Sequence, residues 1–163
     1  MISAIGIITF FPRASMSSNA TLDPLEPFAT AFAFRNDGYQ SVREISFACG
    51  VNNLETVAGK TFQTKYIGLA AADLSGEILS PNEATEIFCP VSDMFRFDGP
   101  AAKIDLDIYV SFSIALIPYR FTRCFRFVTR PDNKGNLRWL QRGFGKKCWW
   151  PKSILLYTGP RAR

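Results

Sequence analysis

The sequence predicts an all-β protein, an antiparallel β-sandwich of about seven strands. Three observations carry that expectation. Several short runs alternate with period two, turn signals punctuate the chain roughly every 8–20 residues, and no stretch shows a helical repeat. Size agrees, since 163 residues suit one domain with tails, and a chain of this length buries about two-thirds of its unfolded surface. A hydrophobic content of 47% with 20% charged residues excludes a disordered chain. The 15 Phe favour strands over helices.

The chain opens on MISAIGIITFF, apolar except for Ser3 and Thr9 and closed by Pro12-Arg13. A bilayer-spanning helix needs about 20 apolar residues, so this run does not cross alone. It also lacks the basic start and the small-residue cleavage site of a signal peptide. It reads as a first edge strand or packed arm, or as the outer end of a membrane anchor that begins upstream of Met1. Residues 1–13 are therefore set apart from a domain over 14–141 and a basic, aromatic-containing tail over 142–163.

The Pro-punctuated piece Ala20 to Pro27 is extended, because residues before Pro are pushed out of the helical region. It leads into a strand over 28–35, with Phe28, Thr30, Phe32 and Phe34 on one face and Ala29, Ala31 and Ala33 on the other. Asn36-Asp37-Gly38 then offers residues that tolerate positive φ, as a tight turn to a partner strand requires. Val42 to Cys49 alternates, with Ile45, Phe47 and Cys49 on the buried side. Thr61 to Ile67 reads as an edge strand, Lys65 suiting an exposed edge. Residues 69–80 read as loop or a short helical turn.

Leu79 to Glu83 is a turn, and Ala84 to Cys89 a short strand. Ile104, Leu106, Ile108, Val110 and Phe112 alternate strictly with Asp105, Asp107, Tyr109 and Ser111, the clearest half-buried strand in the chain. Tyr119 to Thr129 follows with Phe121, Phe125 and Phe127 on one parity and Arg120, Thr122, Cys124 and Arg126 on the other. Asp132 to Asn136 makes a hairpin turn before Leu137-Arg-Trp-Leu140. At this length an immunoglobulin-like version of the sandwich is favoured, with a jelly roll or small barrel as the alternatives.

The order PFATAFAFRNDGYQSVREISFAC, LSPNEATEIFCP, IDLDIYVSF and RCFRFVTRPDNKGNLRWL resembles small, mostly uncharacterised bacterial immunoglobulin-like proteins. In these a strand ending Asn-x-Gly precedes a strand ending in Cys. The pattern is also similar to bacterial cell-adhesion-related and fibronectin-like modules, where Leu-x-Pro-Gly-x introduces a strand; Asn82 stands here in place of that Gly. The resemblance covers about residues 12–140. It implies a non-catalytic module outside the cytoplasm, tethered by an N-terminal helix upstream of Phe11.

The four cysteines at 49, 89, 124 and 148 lack the short spacing of a zinc knuckle or a redox pair. They permit three disulfide connectivities, of which Cys49–Cys89, joining two strand ends, is preferred; four free buried thiols is the alternative. With no His, ordinary serine and cysteine triads are excluded and imidazole acid–base chemistry is absent. Cys124 and Cys148 have cationic neighbours that could activate a thiol, but nothing nearby supplies a base or an oxyanion site. Gly143 to Lys147 superficially suggests a phosphate loop, yet Leu140 replaces its first Gly and Lys147 its Ser/Thr. No cofactor and no metal is expected. Asp105 and Asp107 share one strand face, and a hairpin closing near Ala115 brings Asp105 opposite about Arg126, an ion pair rather than a catalytic dyad. Asn19-Ala-Thr21 is formally a glycosylation acceptor.

The formal charge of +5 is unevenly spread. Residues 1–116 carry seven Lys/Arg against thirteen Asp/Glu, whereas residues 117–163 carry twelve Lys/Arg against Asp132 alone. Arg142, Lys146, Lys147, Trp149, Trp150 and Lys152 are the candidate contact to an anionic surface. Cations meet anionic lipid while Trp sits at a membrane interface, and the same residue types hold phosphates and stack bases. A solvated tail or packing segment is the third reading. Together these observations point to a non-catalytic β-sandwich that binds another protein or an envelope component, at the extracytoplasmic face of the cytoplasmic membrane. The alternative is a cytosolic nucleic-acid-binding β-domain using Lys146, Lys147, Trp149 and Trp150.

Overall fold

The computed structural model describes residues 12–18, 21–89, 91, 99–114 and 117–142, with the side chains of 63–73, 75 and 118 outside the description. The apolar start 1–11, Asn19, the stretch Gly143 to Lys147, and Cys148, Trp149, Trp150 and Lys152 lie outside these residues. The described chain is all-β, with eight antiparallel strands in two sheets and one 3-10 turn, Pro27–Ala29. The strands are β1 (Ala14–Ser17), β2 (Ala31–Asn36), β3 (Val42–Thr56), β4 (Thr61–Leu79), β5 (Ala84–Phe88), β6 (Ala101–Ile114), β7 (Ile117–Pro131) and β8 (Leu137–Arg142). The smaller sheet has the order β1-β2-β5 and the larger β4-β3-β6-β7-β8.

The inner faces of the two sheets share one core, and its centre is aromatic. Phe32 of β2 lies 4.8 Å from Phe127 and 5.6 Å from Trp139, while Phe34 lies 5.8 Å from Phe112 and 6.3 Å from Phe125. These tilted and edge-on pairs add roughly 0.5–1.5 kcal/mol each beyond the area they bury. The β6 residues Ile104, Leu106, Ile108, Val110 and Phe112 complete the floor. Cys49 of β3 and Cys89, just past β5, are joined by a disulfide with Cα atoms 5.7 Å apart, so a buried covalent link connects the sheets.

Three expectations from the sequence are corrected. The strand predicted from Phe28 begins at Ala31, because Pro27 fixes a 3-10 turn first; Phe28 is nevertheless buried. The Asn36-Asp37-Gly38 turn does not return the chain as a partner strand. None of the three has a positive φ, and β2 pairs with β1 and β5 while β3 enters the other sheet. Asn36 explains the difference. Its fully buried amide donates to the carbonyls of Gln40 (2.8 Å) and Leu79 (3.1 Å) and its Oδ1 accepts from the Gly38 N–H, so it serves a crossover between sheets. The span 69–80, expected as loop or a helical turn, continues β4 to Leu79, held by its pairing with β3. Arg142 is the last residue of β8.

Strand β1 supplies the eighth strand, pairing Ala14 to Ser17 with Asn36 to Ala33. The connection from β1 to β2 also closes part of the β8 edge, through a Thr21–Arg138 bridge and the Leu22 N–H donating to Leu137 O at 2.9 Å. The β7–β8 hairpin turns where expected. Asp132 Oδ1 accepts from the Lys134 and Asn136 N–H groups, and Gly135 takes φ +82°.

Candidate functional site

The polar groups with unusual environments gather on the outer face of the five-stranded sheet, opposite the aromatic core. Alternation along β6 sends Asp105, Asp107, Tyr109, Ser111 and Ser113 to that face. Pairing then sets Gly50 of β3 and Arg126 of β7 on either side of Asp107, and Asn53 beside Asp105. Gly50 places no side chain opposite Asp107, and a Cβ built there would meet only the Asp107 carbonyl, at 4.0 Å.

The expected Asp105–Arg126 ion pair is present, but the register differs by one rung pair. Asp107, not Asp105, stands opposite Arg126, and Arg126 reaches diagonally to Asp105. Its Nε donates to Asp105 Oδ1 at 2.8 Å and its terminal nitrogen to Oδ2, a bidentate contact. The same Nε is 3.8 Å from Asp107 Oδ1. One guanidinium thus serves two carboxylates, and planar forks of this kind are the stronger ion pairs.

Asp107 is only 3% exposed although it sits on the outer face. Burial pushes its carboxyl up from the ordinary value, opposed by the Asn52 amide and by the Arg126 charge. Tyr109 is pushed up to about 12 by burial and then by the negative charge of Asp107. Arg126 moves higher still, chiefly through its hydrogen bond to Asp105. The cluster therefore holds a proton on Tyr109 and a positive charge on Arg126. Among the described residues no group of three or more His, Cys, Asp or Glu side chains is placed to hold a metal ion.

A second polar group lies farther along the same face. Glu44 has φ +53° at a register shift between Arg43 and Ile45, a backbone conformation that costs a residue with a side chain about 1–3 kcal/mol. It is held by the Ser113 hydroxyl, which donates to its carboxylate at 2.6 Å, and by Arg120, which donates to its carbonyl at 3.1 Å.

The third feature is cationic. On β7 and β8 Arg126 stands opposite Arg142 and Arg130 opposite Arg138, with the Val128–Leu140 rung between them. Like charges directly opposite destabilise a pair of strands by about 0.2–1 kcal/mol. Arg126 is neutralised by the carboxylates and Arg138 pairs with Asp132 at 3.2 Å. Against a desolvation effect that acts upward, the N–H groups of Lys134 and Asn136 hold the Asp132 carboxyl below its ordinary value. Arg130 and Arg142 are exposed and have no carboxylate partner among the described residues.

Comparison with protein-family models, curated proteins and solved structures returns no match.

Of the sequence-predicted residues, Arg142 is on the cationic face, Cys49 and Cys89 join the sheets, and the remaining cationic and Trp candidates lie outside the described residues. Cys124, considered as an activated thiol, is instead disulfide-bonded. Trp139 points inward and is buried against Phe32, so it offers no exposed ring. Sequence reasoning missed Asn36, Asn52 and the burial of Tyr109. For Asn52 the signal was Gly50 inside a strand, a mark of the irregularity that β3 shows between Cys49 and Asn53; for Tyr109 there was none. No helix among the described residues is long and apolar enough to cross a membrane.

Proposed function

We propose that this chain is a non-catalytic β-sandwich of immunoglobulin-like topology, working outside the cytoplasm as an interaction or structural module of the cell envelope. The observation that carries the reading is the buried Cys49–Cys89 bridge between the sheets, together with a disulfide-bonded Cys124. Disulfides persist in oxidising compartments and are rare in the cytosol. The strand order lends support to the topology. β1-β2-β5 corresponds to strands A, B and E of an immunoglobulin-like domain and β4-β3-β6-β7 to C′, C, F and G, with β8 added at the edge. The bridge, however, joins C to the end of E rather than B to F.

A non-catalytic role is supported by the state of the reactive groups. Asp105 and Asp107 are both engaged by Arg126, Cys124 is oxidised, and the chain has no His. Thiol trapping in intact native cells tests the compartment. The expected result is that Cys49 and Cys89 resist alkylation until the protein is unfolded and reduced. Alkylation of both in unfolded protein before any reductant is added would place the chain in a reducing compartment and sink the reading.

A further inference from the structure

We infer that the outer face of the β7–β8 hairpin is a docking surface for an anionic phospholipid bilayer. The inference rests on the envelope reading and names the partner of one surface.

The face presents Arg130, Arg138 and Arg142, with Lys134 at the turn, against Asp132 as the acid of the hairpin. Four residues separate the two Arg–Arg rungs along each strand, about 13 Å at strand rise. Leu140 sits between them, 45% exposed. Opposed arginines are unfavourable for the domain in isolation, and two of them lack a carboxylate among the described residues. An external layer of negative charge relieves that repulsion. Lipid fits better than nucleic acid. Single strands are held by exposed aromatic faces beside the cations, whereas the described aromatic of β8, Trp139, is buried inward and the exposed apolar side chain of this face is aliphatic. An aliphatic residue flanked by arginines suits the boundary between headgroups and acyl chains.

The test is co-sedimentation of the full chain with phosphatidylcholine vesicles, with and without phosphatidylglycerol, at about 0.1 M salt. Binding is expected only to the phosphatidylglycerol vesicles and should be lost at about 1 M salt. The double variant R130Q/R142Q should bind roughly 25-fold more weakly, about fivefold per cation removed, and Leu140→Ser a few-fold more weakly. R13Q/R35Q removes equal charge elsewhere and should bind as the parent does, with circular dichroism confirming that each variant folds. Equal binding to neutral vesicles overturns the proposal, as does an unaffected R130Q/R142Q protein or equal weakening in R13Q/R35Q. Tighter, salt-sensitive binding to a single-stranded oligonucleotide that excludes vesicles would assign the face to nucleic acid instead. Vesicle binding and thiol trapping fail independently, so loss of the docking surface leaves the compartment result standing.

Discussion

On one side of β6, Ile104, Leu106, Ile108, Val110 and Phe112 are buried against apolar neighbours; on the other side the same strand buries Asp107 and Tyr109. The inner face is held by buried apolar area and close packing, and its attraction is non-directional. On the outer face one guanidinium is shared between two carboxylates, hydrogen-bonded to Asp105 and ion-paired with Asp107, so removing it leaves a buried charge without its counter-ion. A single strand thus carries a core held by packing on one side and a polar cluster held by specific charged partners on the other.

Four substitutions or titrations probe that contrast, taken from the largest effect to the smallest. Phe34→Ala on the inner face should cost about 3–5 kcal/mol, since its ring contacts Phe112 and Phe125 across the sheets. A loss below about 1 kcal/mol in urea unfolding would show that the core collapses into the space.

Arg126→Leu on the outer face should cost about 2–4 kcal/mol, because it strands a buried carboxylate. Adding Asp107→Asn to that variant should recover more than half of the loss. Additive losses in the double-mutant cycle would mean that the two side chains act separately.

Titration sharpens the contrast further. Tyr109, pushed up to about 12, should keep its proton where exposed tyrosines have lost theirs, which ultraviolet absorbance reads directly. The folded state then binds more protons than the unfolded one between the ordinary tyrosine value near 10 and about 12. Stability must therefore fall as pH rises through that window. Asp107 follows the same sign at acid pH. Its raised carboxyl makes the folded state the better proton binder just above 3.8, so its contribution is fullest below that value and declines as pH rises. Asp107→Asn should remove that slope, and an unchanged acid profile would show that Asp107 is not its source.

Smallest is Arg130→Glu, which replaces an Arg–Arg rung with an Arg–Glu rung opposite Arg138. It should stabilise the domain by about 0.2–1 kcal/mol at low salt, the gain shrinking as salt is added. A destabilised variant would mean that Arg130 has a partner holding it in the parent protein.

What the sequence disclosed follows the same division. β6 and the Phe parity of β7 were legible because alternation reports directly on a half-buried strand. The end of β4 was not, since Gly68 and Ala70 to Ala72 carry little strand preference and are held in place by β3. The turn at Asn36 was misread because a local signal for a tight turn is also compatible with a crossover, and only the distant carbonyl of Leu79 decides. At the candidate site the Asp105–Arg126 pair was legible from strand parity. The burial of Asp107 was hidden, because alternation marks polar residues as solvent-facing and does not reveal what lies over that face. The Arg–Arg rungs were invisible until the β7–β8 register was known.

The buried amide of Asn36 has a practical consequence for anyone wishing to use this domain as a scaffold. It locks the connection at 37–41 to the segment at Leu79, so lengthening that connection would pull a satisfied polar group out of the interior. The turn between β3 and β4 is different. Val57 is 68% exposed, and Gly59 has open space around it at φ +79°. Foreign peptides, affinity tags or protease sites belong there, at the opposite pole from Asn36, where the chain can be interrupted without disturbing what holds the two sheets together.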